Sequence, residues 1–252
     1  MNSFFKKRTD SVPGVKIKDL STIFILSIPL YVLDLFFHYY TTPLMEFIFR
    51  PVHTLILLAW FVRVSPAPFA TRNILMLISV FVLIAYPFQS RFFGDPETET
   101  YLEIILPFIT NILLIIVFLR ERKISTLKKS PGELFNRYFL YIGIPLAYYY
   151  FVVYQTLLNR SYFILTIAYT VFFIAMMLTG SNLNFTKRSQ SIILMALALV
   201  SFTTAVNTYN IFIEKIPYSY PLICFLNMFS PLFFLWGFAN EDIVRNKAGE
   251  CD

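Results

Sequence analysis

Eight stretches of this chain, near residues 20–40, 47–64, 73–88, 101–119, 135–157, 162–178, 190–213 and 218–239, are apolar runs with few charges. No other feature restricts the fold as tightly. A segment of about 20 mainly apolar residues can cross the hydrocarbon core of a bilayer as a helix. Inside that core each backbone N–H and C=O must be paired within the protein, so only helices and closed barrels span it. Strand-like alternation of polar and apolar residues is absent, which argues against a barrel. Of the 252 residues 57% are hydrophobic and only 14% charged, against about 25% charged in an ordinary soluble domain. The sequence therefore predicts an all-α polytopic bundle of eight transmembrane helices. It divides into a basic arm at 1–19, one membrane domain at 20–239 and a tail at 240–252.

Orientation follows from charge. The N-terminal arm (Lys6, Lys7, Arg8, Lys16, Lys18) and every second connection after it hold all but four of the 21 Lys and Arg. The exceptions are Arg50, Arg91, Arg160 and Lys215, which share their side with the acidic stretch GDPETETYLE. By the positive-inside rule both termini are cytoplasmic, and the expected location is the cell (inner) membrane. The net charge of +6 is divided among short loops, where it suits anionic lipid headgroups rather than nucleic acid. Membrane lipids and other membrane proteins are the expected partners. The first run contains Asp34 and ends in aromatics and Thr-Thr-Pro, unlike a cleaved signal peptide. Two cysteines, Cys224 and Cys251, make no disulfide framework, and two histidines, His38 and His53, do not make a histidine-rich metal centre. Phosphate-loop, dinucleotide, HExxH and GxSxG motifs are all missing, so neither metal nor cofactor is expected.

Polar side chains inside the apolar runs carry the functional signal, because such groups are costly in a bilayer and normally face the bundle interior. Ser27, Tyr31, Asp34 and His38 recur on one helical face of the first run. Asp34 and His38 are spaced to let a carboxylate hold an imidazole. Arg50 opens the second run as a partner for Asp34 or Glu46. In ALVSFTTAVNTYNIF of the seventh run, Thr203, Asn207 and Asn210 share a face, with Thr204 beside them. Asn111 lies mid-way along the fourth run, Asn227 and Ser230 in the eighth, and Tyr148, Tyr149, Tyr150, Tyr154 and Gln155 at the end of the fifth. Taken singly, an Asn or Thr is more often a simple interhelical hydrogen bond, at about 0.6 kcal/mol. Their concentration at one depth predicts a cavity lined by Tyr31, Arg50, Asn111, Thr203, Thr204, Asn207, Asn210 and Asn227.

Over about residues 40–240 the segments FIFRPVHTLILLAWF and TTAVNTYNIFIEKIPYSYPLICFLNMFSPLFFLWGF resemble the lysoplasmalogenase (YhhN-like) membrane family. The resemblance implies eight helices and cleavage of the vinyl ether bond of lysoplasmalogens. Arg50-Pro51 stands at the family's Lys-Pro, and Asn210 with Phe212 at its Asn-x-Phe. The family's acid–base positions are not kept. Ala85-Tyr86 replaces a Gly-Asp, Asn111 a His, Thr203-Thr204 a Ser-Asp, and Pro231 a Gln. Vinyl ether hydrolysis needs an acid for the alkene carbon and a base for water, and none of these replacements is either. The leading expectation is a catalytically degenerate member, a pseudoenzyme whose lipid-sized cavity serves binding, sensing or partner assembly. One alternative is an active lipid ether hydrolase whose acid and base have moved to Asp34 and His38. Another is the membrane anchor subunit of a larger complex.

Overall fold

Each predicted run coincides with a helix in a computed structural model of the chain, which describes residues 17–40, 46–85, 96–121, 138–158 and 160–248. In chain order they are α1 (Ile17–Tyr40), α2 (Glu46–Val64), α3 (Thr71–Ala85) and α4 (Pro96–Glu121). Then come α5 (139–157), α6 (Phe163–Ser181), α7 (Lys187–Phe212) and α8 (Ser219–Ala248). No strand occurs among the described residues. The arm up to residue 16, Tyr86, Arg91, the basic loop at 122–137 and Cys251 lie outside them.

Five of these helices (α1, α4, α6, α7 and α8) are long and apolar enough to cross a membrane. Of the other three, α2 carries Arg50 and Arg63 near its two ends, and α3 spans Thr71–Ala85 of the described residues. In α5 the α-helical pieces Ile144–Tyr148 and Tyr154–Leu157 alternate with π-helical turns at Phe139–Gly143 and Tyr149–Val153. Pro66 and Pro68 end α2, since neither can donate an N–H to continue it. Thr186 caps α7, its hydroxyl accepting from the backbone N–H of Ser189.

The helix α8 is the spine of the bundle. In its most apolar window 67% of residues are buried, against 17–28% in the other four long helices. Consecutive packing of α2, α3, α4, α6, α7 and α8, with α8 returning to α2, closes a six-helix ring. Against it, α1 packs on α2 and α8, and α5 on α6 and α7. Gly237 allows the closest of these approaches: a Cβ there would lie 2.6 Å from Ile193 Cδ1 of α7. Gly180 does the same for Phe118, at 2.8 Å.

One boundary differs from expectation. The tail was expected from residue 240, but α8 continues to Ala248, and Asn240, Glu241 and Asp242 are buried. At 1.5 Å per residue α8 is about 45 Å long, beyond the roughly 30 Å hydrocarbon core. Its surplus turns carry a dense polar clamp. Asp242 accepts hydrogen bonds from Ser65 Oγ at 2.7 Å and Asn73 Nδ2 at 2.8 Å, and pairs with Arg72. Arg72 and Arg245 share Glu121 at 3.0 and 2.7 Å. Glu241 accepts from the Thr186 backbone and hydroxyl at 3.0 and 3.1 Å, and Asn240 donates to Ser189 at 2.8 Å. The clamp ties the α2–α3 turn, the end of α4, the α6–α7 turn and α8 into one base. Buried charges are tolerable only when paired and hydrogen-bonded in this way.

Candidate functional site

A cavity of about 180 Å³ opens inside the six-helix ring, away from the clamp. All six ring helices line it, whereas α1 and α5 contribute no lining residue. Prolines shape its wall. Pro107 of α4 and Pro231 of α8 both line it, and neither can donate to the carbonyl four residues earlier, on Glu103 and Asn227, which line it too.

Of the expected cavity residues, Arg50, Asn111, Thr203, Thr204, Asn207 and Asn227 are in the wall. The structure brings them together from α2, α4, α7 and α8. Two others are elsewhere. The Tyr31 hydroxyl donates to the Pro221 carbonyl at 3.1 Å, tying α1 to the start of α8. Asn210 brackets the α7–α8 turn, donating to Ser219 Oγ and accepting from the Ile216 N–H, both at 2.9 Å. Its neighbours Ile211 and Phe212 do line the cavity, so Asn210 is excluded by the face it takes towards the turn and not by its height on α7. The tyrosines of α5 are likewise outside the wall. Tyr148 donates to the Ala205 carbonyl at 2.7 Å, and Tyr150 is exposed.

Asp34 is fully buried on α1, but it meets α8 and α2 rather than the cavity. Its Oδ2 accepts from Cys224 Sγ at 2.7 Å and Tyr220 Oη at 3.1 Å, with Arg50 Nε at 3.6 Å. Arg50 also donates to Tyr220 Oη at 2.7 Å and lies over its ring. His38 is stacked flat on the other member of this group, its ring centroid 3.3 Å from that of Tyr220. The expected Arg50–Asp34 ion pair is therefore present, and Asp34 and His38 both converge on Tyr220. Neither lines the cavity, so a ligand there meets Asp34 only through Cys224 and Arg50. Their placement removes the geometric basis for a relocated acid–base pair acting inside it.

Sequence reasoning missed three groups. His53, one turn beyond Arg50 on α2, lines the cavity at 2% exposure, its Nε2 3.0 Å from Ser27 Oγ. Glu103 and Cys224 are also in the wall. The spacing Arg50–His53 was the available signal for the histidine; Glu103 sits amid an acidic run that reads as a loop boundary.

Several polar groups of the wall have unused capacity. Thr203 donates back to the Leu199 carbonyl at 2.8 Å, and Thr204 makes a long contact of 3.4 Å with the Tyr169 hydroxyl. Asn207, Thr208, Asn227 and Ser230 have no hydrogen-bond partner among the described residues. Asn111 Nδ2 is buried with no partner at full hydrogen-bond geometry, and the Tyr169 hydroxyl lies close to it. Chemically, the wall offers amide and hydroxyl groups, one imidazole, one carboxylate and one guanidinium on an otherwise apolar lining. Among the described residues no cluster of His, Cys, Asp and Glu is arranged to hold a metal ion. No family model matches the chain, and no curated protein or solved structure gives a significant match.

Proposed function

We propose that the protein is an eight-span integral protein of the cell membrane, with both termini cytoplasmic, that binds an amphipathic small molecule in the ring cavity. The observation that carries this reading is the set of wall side chains without partners: Asn111, whose Nδ2 is buried, with Ser230 and the half-buried Asn207, Thr208 and Asn227 facing the same cavity. Buried polar groups in folded proteins are nearly always hydrogen-bonded, and inside a bilayer an unpaired one is especially costly. A bound molecule that is polar at one end and apolar at the other answers both halves of the lining. The volume accommodates a polar head and a few carbons. It is comparable to an engineered cavity of about 150 Å³ that binds benzene, so a long acyl chain has to extend beyond it. In this reading the chain is a divergent lysoplasmalogenase-like protein whose binding site outlasted its chemistry, with Asn111 and Thr203-Thr204 as remnants. Mass spectrometry of lipids retained by protein purified in mild detergent tests it. A stoichiometric lipid lost in Asn111→Leu and Asn207→Leu supports binding, and a lipid-free protein that takes up no added amphiphile ends it.

A second reading is favoured by His53 and Glu103. An imidazole and a carboxylate in one cavity wall are the group types that general acid–base hydrolysis requires, which keeps an active lipid hydrolase in view. Turnover of a lysoplasmalogen or its ester analogue that disappears in His53→Ala would establish it.

A further inference from the structure

Apart from Arg50 Nε, two atoms of the cavity wall have hydrogen-bonding capacity that the bundle leaves unused, and they are opposite in kind. With the Ser27 hydroxyl donating to the Ile23 carbonyl at 2.8 Å, its oxygen is left to accept from His53 at 3.0 Å. In the neutral ring that places the proton on Nε2 and a lone pair on Nδ1. Nδ1 has no partner among the described residues, although His53 is 98% buried. The second atom is Asn111 Nδ2, a donor on a residue only 4% exposed. These two sit on α2 and α4, with α3 between them, in the wall of one cavity. Charge narrows the ligand further. The one cation of the lining is Arg50; its charge is balanced by Asp34, 3.6 Å from a Nε that has no hydrogen-bond partner, and another of its N–H groups donates to Tyr220. A phosphate placed here would have no uncommitted counter-charge.

Building on the binding role above, we propose that the cavity selects an uncharged amphiphile whose polar end carries both a free hydroxyl and an oxygen acceptor. Monoacylglycerol is the simplest membrane lipid of that chemistry. Its hydroxyl donates to His53 Nδ1 and its ester or glycerol oxygen accepts from Asn111 Nδ2.

The test is equilibrium binding to the full chain in nanodiscs with three probes: 1-monooleoylglycerol, its analogue with both hydroxyls O-methylated, and oleoyl-lysophosphatidylcholine. The expected result is that monooleoylglycerol binds about tenfold more tightly than either of the others, the worth of one to two buried hydrogen bonds. Preference over the methylated analogue should vanish in His53→Phe, and Asn111→Leu should weaken both neutral probes about tenfold. The wild-type comparison decides the matter even if a variant fails to fold. Equal binding of the methylated analogue, or tighter binding of the lysophospholipid, overturns the inference and leaves the binding role standing. Failure of all three probes to bind overturns the binding role itself.

Discussion

Removing Asp242 should unlock the base of the bundle. Asp242→Ala deletes the acceptor for Ser65 Oγ at 2.7 Å and Asn73 Nδ2 at 2.8 Å, and one counter-charge of Arg72. Breaking a buried ion pair by removing one partner costs about 3–5 kcal/mol, mainly because the other charge is stranded. Arg72 is not stranded completely, since Glu121 still holds it at 3.0 Å, which points to the lower end of that range. The Ser65 hydroxyl, left without its acceptor, adds about 1 kcal/mol, while Asn73 Nδ2 still donates to the Ala67 carbonyl at 2.8 Å. A total near 4 kcal/mol corresponds, at about 2–4 °C per kcal/mol for a chain of this size, to a fall of roughly 8–16 °C in Tm. Asp242→Asn, which keeps the shape and one acceptor oxygen, should lose less than half of that. Differential scanning fluorimetry in detergent reads both variants. A double-mutant cycle with Asn73→Ala should show positive coupling, because the two residues share one hydrogen bond. If Asp242→Ala melts within about 2 °C of wild type, the clamp contributes nothing net and the reasoning fails.

Reporter fusions after Asp95 should read outside and fusions after Lys129 inside; reversed reporters, or an odd number of spans, would sink the charge-based topology. Asn210→Ala should loosen the α7–α8 turn, since it removes both 2.9 Å bonds that bracket it; about 1–2 kcal/mol is expected, seen as a lower Tm with ligand affinity nearly unchanged. Asp34→Leu should cost more than Asp34→Asn, because both remove the charge partner of Arg50 but only asparagine keeps an acceptor oxygen for Cys224 and Tyr220; a leucine variant as stable as wild type would show that the pair is dispensable. Purified protein should not cleave lysoplasmalogen or its ester analogues above background. Turnover abolished by both Asp34→Asn and His38→Ala would instead restore that pair as acid and base, despite their position outside the cavity.

The features readable from the sequence were those that partition between water and lipid. Helix positions followed directly, because an apolar run of about 20 residues has no other stable arrangement in a bilayer. The depth of Asn111, Thr203 and Asn207 along their helices was equally legible, since counting residues from a helix end fixes height. Six of eight expected lining residues therefore fell in the wall. Tyr31 and Asn210 failed for different reasons. Asn210 was placed by helical spacing, but its amide is taken by Ser219 and the Ile216 N–H of the α7–α8 turn, while its neighbours Ile211 and Phe212 face the cavity. Tyr31 was placed by a polar stripe on α1, whose real partners are the start of α8 and the Asp34 group.

The amino-acid sequence by itself determined the class of fold, the positions of the helices and the asymmetry of charge between the two sides. Only tertiary packing decided which helices form the ring and which stay outside it. That choice left Asp34 behind Cys224, put His53 in the cavity wall and folded Asn240–Asp242 into a clamp instead of a tail. The reason is physical. In water, burial marks the inner face of a helix with apolar residues, but in a bilayer the lipid-facing and core-facing sides are both apolar. Helix rotation is then set by close approach at sites such as Gly180 and Gly237, by buried ion pairs and by interhelical hydrogen bonds. Each of these depends on residues distant in the chain that meet only once the bundle has closed.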